Sequence, residues 1–234
     1  MKFLYHMKKR LLLLVGVLCF SFSLSAQETV YCLHGFMRSP SCMKKMAKSF
    51  EQDGYDTACW GYPSKQKYIQ EFAEGLVQDL KKTAEKHPGE PIHFVTHSLG
   101  GIIVRAAHNH PECPEEAKMG RAVLLVPPNQ GSRFGQFLGK SKPMRKFLGD
   151  RAGKQLLFCD NFDFIGEFPK GKEVLVISGT FGWNPIPKEK NDGKVGVKES
   201  CLNTPHKHMT HFSGHSWIMY SDTVINCSKF FISH

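Results

Sequence analysis

The chain contains no Cys-x-x-Cys, which removes the usual sequence grounds for a dithiol redox site or a zinc knuckle. It has no Gly/Ser/Pro-rich linker and no internal repeat, so nothing divides its 234 residues into separate units. No apolar run reaches the roughly 20 residues of a spanning helix; the stretch Leu11 to Phe20 falls well short. Acidic residues are scarce, 21 against 31 basic. The lysines are nevertheless scattered, not gathered into a stripe with interleaved aromatics, which argues against nucleic acid as a partner.

Lys2, Lys8, Lys9 and Arg10 precede that apolar stretch, and small and polar residues follow it to Ala26. This is the pattern of a secretory signal peptide over residues 1–26, with an uncleaved anchor as the alternative. The expectation is an exported protein, periplasmic or extracellular, beginning near Gln27. Cys19 follows the bulky Leu18, unlike a lipoprotein processing site. Loss of the leader removes four basic residues and no acidic one, leaving 27 against 21, a formal charge of +6. Such a surface suits peripheral contact with anionic membranes or acidic glycans. Seven cysteines remain, an odd number that cannot all pair, and their spacing gives no connectivity.

From residue 27 the sequence reads as one α/β domain. Apolar runs predict strands at Thr29–Leu33, Thr57–Trp60, Ile92–Thr96, Ala122–Val126, Val174–Ser178 and His208–Phe212. Helical spacing predicts helices at Ser41–Phe50, Lys67–Lys86, from Leu99 onward, and at Ser221–Phe231. Strands alternating with helices imply a mostly parallel sheet of about six strands, with ligands at the carboxyl ends of the strands.

Ser98 falls just past one such end, in Thr96-His97-Ser98-Leu99-Gly100-Gly101. A serine hydroxyl becomes a useful nucleophile when a tight strand-to-helix turn exposes it and a base and oxyanion donors surround it. As an isolated feature, Ser98 would equally serve as a helix N-cap. The surrounding chain offers the missing parts. His34-Gly35-Phe36 closes the first strand and places the Phe36 N–H beside the Leu99 N–H as oxyanion donors. His215, on the glycine-flanked loop Ser213-Gly214-His215-Ser216-Trp217, is the candidate base. Asp192, in the polar turn Asn191-Asp192-Gly193, is the candidate orienting acid. His34, Met37, His97 and Trp217 flank these groups as candidate substrate-binding residues.

Together these segments resemble the small lipase-like serine esterases of the α/β-hydrolase fold, in which the order is Ser, Asp, His. Pro127-Pro128-Asn129-Gln130-Gly131-Ser132 adds a resemblance to the Pro-x-x-Gly-Ser loop of many lipases. Thr96 departs from the pattern, which has glycine there. The resemblance implies a minimal α/β-hydrolase lacking the first antiparallel strands of larger relatives, and hydrolysis of a carboxylic ester or lipid substrate through an acyl-enzyme. It implies no cofactor. The segment 133–172 is where such enzymes vary their lids. Its crowd of aromatics and leucines, among them Phe134, Leu138, Phe147, Leu148, Leu156, Leu157 and Phe162, reads as a cap over an acyl pocket or as core between helices.

Three other readings use the same residues. An acyltransferase or thioesterase would share the triad and differ in what attacks or leaves the acyl-enzyme. A metal site would draw on His206, His208, His211 and His215, although no cysteine or carboxylate joins them at a familiar spacing. A non-catalytic binding protein on this scaffold would leave the three residues idle. Arg105 reads as a charge on the helix surface.

Overall fold

A computed structural model describes residues 27–159 and 161–234; the leader expected over residues 1–26 lies outside them. Six strands form one sheet: β1 (Thr29–Leu33), β2 (Asp56–Trp60), β3 (Ile92–His97), β4 (Ala122–Leu125), β5 (Val174–Gly179) and β6 (Lys207–His211). Their order is β2-β1-β3-β4-β5-β6, and every neighbouring pair is parallel. The strands β1, β3, β4 and β5 are buried along their whole length. That is what their largely apolar runs encode, because a parallel sheet is covered on both faces.

The covering helices among the described residues are α1 (Lys44–Glu51), α2 (Ile69–Lys86), α3 (Leu99–His108), α4 (Glu115–Met119), α5 (Arg133–Gly139), α6 (Lys142–Leu148), α7 (Ala152–Phe158), α8 (Val197–Ser200) and α9 (Asp222–Ser233). Alternate strand residues serve opposite layers. Tyr31, Leu33 and Phe94 pack with Leu76 of α2 and Ile102 and Ile103 of α3. Val30, Cys32 and Val95 pack with Met46 and Phe50 of α1 and Val224 and Ile225 of α9. Each such fully buried side chain contributes about 1.5–3 kcal/mol, so the two layers clamp the sheet from both sides. The described residues contain no helix long and apolar enough to cross a membrane.

Most element ends lie within two residues of the sequence expectation, and two of the differences have a visible cause. The helix expected over Ser41–Phe50 is a 3-10 turn at Pro40–Met43 followed by α1. β4 stops one residue early because Val126 turns to φ 46°, although its N–H still reaches Ile177 O at 2.8 Å. Cys32, Cys42, Cys59, Cys113, Cys201 and Cys227 are free thiols, with Cys32 and Cys59 facing each other across β1 and β2.

Candidate active site

β3 ends at His97 and α3 begins at Leu99, which leaves Ser98 alone on the turn at φ 51° and ψ −118°. Side-chain sterics disfavour that backbone for an L-residue, and it persists here because the buried strand and buried helix on either side over-determine it. Thr96, the departure from the glycine pattern, is fully buried beneath the turn. A Cβ on Gly101 would stand 3.1 Å from Thr96 Oγ1, so α3 supplies the room that a glycine at position 96 would otherwise give.

The loop after β6 brings His215 over this serine. His215 Nε2 lies 3.0 Å from Ser98 Oγ, and His215 Nδ1 lies 2.7 Å from Asp192 Oδ2. With Nδ1–H donating to the carboxylate, Nε2 is free to accept from the serine hydroxyl. The other carboxylate oxygen of Asp192 accepts from the Lys194 and Val195 N–H groups, each at 2.8 Å. The backbone adds a further tie, His215 N–H to Asp192 O at 2.9 Å. Ser98, Asp192 and His215 are all buried. The turn Asn191-Asp192-Gly193 is therefore a cradle for one carboxylate, pinned through Asn191 Nδ2 to Asn184 O and Glu189 O.

The loop after β1 faces the serine from the other side. Arg38 N–H donates to Gly35 O at 3.2 Å, closing a turn in which Met37 takes φ 55°. Positive φ at the third position of a turn ordinarily selects glycine, so Met37 is strained and needs holding. Its N–H donates to Ser64 Oγ at 2.8 Å. A Cβ on Gly35 would come within 2.5 Å of His97 Nδ1, so only glycine permits this approach of loop to elbow. Leu99 is the first residue of α3, whose leading N–H groups lack intrahelical acceptors.

The four residues that flank these groups in sequence divide two and two. Met37 and His97 line the cleft above Ser98, whereas His34 and Trp217 stand apart from it. His34 is fully buried, stacked on Tyr62 at 4.2 Å, and accepts the Tyr62 N–H at Nε2 while Nδ1–H donates to Gly35 O at 2.8 Å. It braces the loop from behind. Trp217 is 69% exposed and packs beside Tyr220. His97 Nε2–H donates to His215 O at 2.8 Å, while its Nδ1 is buried without a partner. Burial, and next the neighbouring His215, hold the His97 pKa well below its ordinary 6.5, so the ring is neutral.

The cleft encloses about 360 Å³. Phe134, Leu138, Phe147, Leu148, Leu156 and Leu157 of α5, α6 and α7 form much of its wall. Phe162, from the same stretch of sequence, is instead fully buried core, and Phe137 and Phe158 face solvent. Arg38 and Lys194 at the rim, and Ser132 beneath, were not singled out from the sequence. Their adjacency to Phe36-Met37 and to Asp192 was the available signal.

Arg105 corrects the surface reading: it is 1% exposed, and its guanidinium donates to Asn129 O, Asn129 Oδ1 and Phe162 O. It ties α3 to the Pro127–Ser132 loop and to the chain after α7. That loop continues the network, with Asn129 Nδ2 donating to Ser200 O and Ser132 Oγ to Lys194 O. The four histidines of the metal reading go separate ways. His206 Nδ1 faces Thr204 O, His208 pairs with Ser178, His211 with Ser221, and His215 with Asp192. Among the described residues no group of three or more His, Cys, Asp or Glu side chains is placed to hold a metal.

The sequence matches no family model and no curated protein. In three dimensions the chain is similar to the mature lipase BlEst2 of Bacillus licheniformis, with a TM-score of 0.74 over 89% of this chain and 93% of that one at 19% identity. The metagenomic carboxyl esterase MGS0156 matches with a TM-score of 0.62 over 84% and 66% of the two chains at 14% identity. The type II thioesterase BorB of the borrelidin biosynthetic cluster matches at 0.56 over 92% and 94%, at 15% identity. The protein has the α/β-hydrolase fold. Within that fold, it spans nearly the whole length of the lipase and of the thioesterase it resembles.

Proposed function

We propose that the protein is an exported serine hydrolase that cleaves carboxylic esters, with Ser98 as nucleophile, His215 as general base and acid, and Asp192 as the group that orients His215. The observation that carries this reading is the unbroken chain Asp192 Oδ2, His215 Nδ1, His215 Nε2, Ser98 Oγ, with steps of 2.7 and 3.0 Å, ending on a strained turn at the floor of an apolar cleft. Nothing in that chain requires a cofactor.

In the reaction Ser98 Oγ attacks the ester carbonyl as His215 Nε2 takes its proton, and the alkoxide departs with that proton. Water then attacks the acyl-enzyme by the same route, and the acid product leaves. The Phe36 and Leu99 N–H groups receive the negative oxygen of each tetrahedral intermediate, each worth about 3 kcal/mol in the transition state. α5, α6 and α7 act as a cap whose apolar inner wall takes the acyl chain. The export reading rests on the leader pattern of residues 1–26, and the basic surface favours contact with anionic membranes.

The test is active-site labelling of the mature protein with a fluorophosphonate, beside hydrolysis of p-nitrophenyl esters. Labelling and turnover in the wild type, with both lost in Ser98→Ala and in His215→Ala, is the expected result. A folded wild type that neither labels nor turns over substrate would overturn the reading and leave a binding protein on this scaffold.

A further inference from the structure

The cleft above Ser98 is apolar on its cap side, yet two cations, Arg38 and Lys194, line it, and none of the described residues lining it is acidic. Neither cation forms an ion pair among the described residues, whereas Arg121, Lys45, Lys118 and Lys229 all have carboxylate partners. The carboxylate nearest Lys194 in sequence, Asp192, is already committed to His215 and to two backbone N–H groups.

The main chain under both cations is fixed, and the Arg38 guanidinium is held as well. Lys194 donates its N–H to Asp192 Oδ1 and accepts Ser132 Oγ–H at its carbonyl, each at 2.8 Å. Arg38 closes the turn from Gly35, and its Nη2 donates to Ser216 O at 3.3 Å, next to His215. Lys194 is exposed at the cleft mouth; partial burial and then the Arg38 charge lower its ammonium below the ordinary range, against the opposing pull of Asp192, as expected for two cations that repel across a shared space. Like charges brought together beside a partly desolvated cleft are unfavourable until an anion separates them.

Their side of the cleft decides which part of a substrate they meet. His215 must return its proton to the departing oxygen, so the alcohol portion of an ester lies on the imidazole side. Lys194 is on that side, two residues from Asp192, and Arg38 reaches it from the opposite loop through its guanidinium, which bonds Ser216 O, so the acyl chain is left to the apolar wall of the cap. Resting on the ester-hydrolase reading, we propose that Arg38 and Lys194 form an anion-binding subsite, and that the substrate is an acyl ester whose alcohol portion carries a phosphate or carboxylate close to the scissile oxygen.

The experiment compares three water-soluble hexanoyl esters, of glycerol, of glycerol 3-phosphate and of glyceric acid, each kept monomeric. The expected result is a kcat/KM for the phosphate or carboxylate ester at least about tenfold above the neutral one, the scale of one charge-assisted hydrogen bond. That ratio should shrink with added salt. It should fall toward one in Arg38→Gln and in Lys194→Gln, and invert in Lys194→Glu. Because the Lys194 ammonium makes no hydrogen bond or ion pair among the described residues, its variants remain informative if Arg38→Gln fails to fold. Equal cleavage of all three esters would overturn the subsite while leaving the ester hydrolase intact. A preference seen only with vesicles or micelles would overturn it too, as simple attraction to an anionic surface. If none of the three is cleaved, the ester reading falls, and the subsite with it.

Discussion

Asp192 illustrates how much one side chain can carry. Its Oδ1 is filled by two backbone N–H groups, so in Asp192→Asn the amide oxygen would take that place and the NH₂ would face His215. The ring would then have to accept at Nδ1 and present N–H to Ser98, the wrong tautomer for a base. We expect kcat to drop about 10⁴-fold with KM and folding little changed, measured by ester turnover beside circular dichroism; a loss below tenfold would count against Asp192. Lys172 offers a test unconnected to the cleft. It is 8% exposed, its Nζ donates to Ala117 O, and burial lowers its pKa to about 7 from 10.5. Between those two values the unfolded chain holds one proton more than the folded one, so stability rises with pH through that window and this contribution is flat below it. From pH 6 to pH 9 the gain is about 2–3 kcal/mol. Urea unfolding at the two pH values should show it in the wild type and not in Lys172→Met; equal slopes would mean the carbonyl cradle keeps the ammonium charged.

At the scale of elements, the loop after β1 and the elbow after β3 form a pair, and in the proposed reaction one positions the oxyanion donors and the other the nucleophile. Their spacing rests on Gly35, where a methyl group would meet His97 Nδ1 at 2.5 Å. Gly35→Ala is expected to push the Phe36 N–H out of line and lower kcat about 10²- to 10³-fold, the cost of one lost donor, with the melting temperature shifted by only a few degrees. Retained activity would place the oxyanion donors elsewhere. These two elements were legible in the sequence, since β1 and β3 are short apolar runs ending in His34-Gly35 and in Thr96-His97-Ser98. The elements that escaped are those whose residues depend on what lies across from them. α4 and α8 span only five and four residues, too short for a periodicity. Arg105 is covered by Asn129 and Phe162, both distant in sequence, and nothing local marks it as buried. His34 borders Gly35 in the chain but points behind the loop to Tyr62, a contact set by the packing of β1 against the chain after β2.

For the molecule as a whole, the sheet and the cap divide the labour. The loops after β1, β3, β5 and β6 bring Phe36, Ser98, Asp192 and His215 to one end of the sheet, and the chain between β4 and β5 returns as α5, α6 and α7 to wall the cleft. The topology was readable because strands alternate with helices. The division of the cap was not, since Phe134, Phe137 and Phe162 look alike in sequence yet face cleft, solvent and core. If the cap binds the acyl chain, selectivity should follow its burial. Each methylene that enters the wall formed by Leu138, Leu148 and Leu156 is worth about 0.8 kcal/mol, so kcat/KM should rise roughly fourfold per added CH₂ and level off where the 360 Å³ cleft is filled. Replacing Leu138 and Leu156 by asparagine should flatten that rise while acetate esters are still cleaved, because the proposed Ser98, Asp192 and His215 sit on loops at the strand ends and not on the cap. A p-nitrophenyl ester series from two to twelve carbons, run on both proteins, measures the slopes. An unchanged slope in the double variant would move the acyl chain out of the cap, toward the side of the cleft where Arg38 and Lys194 stand.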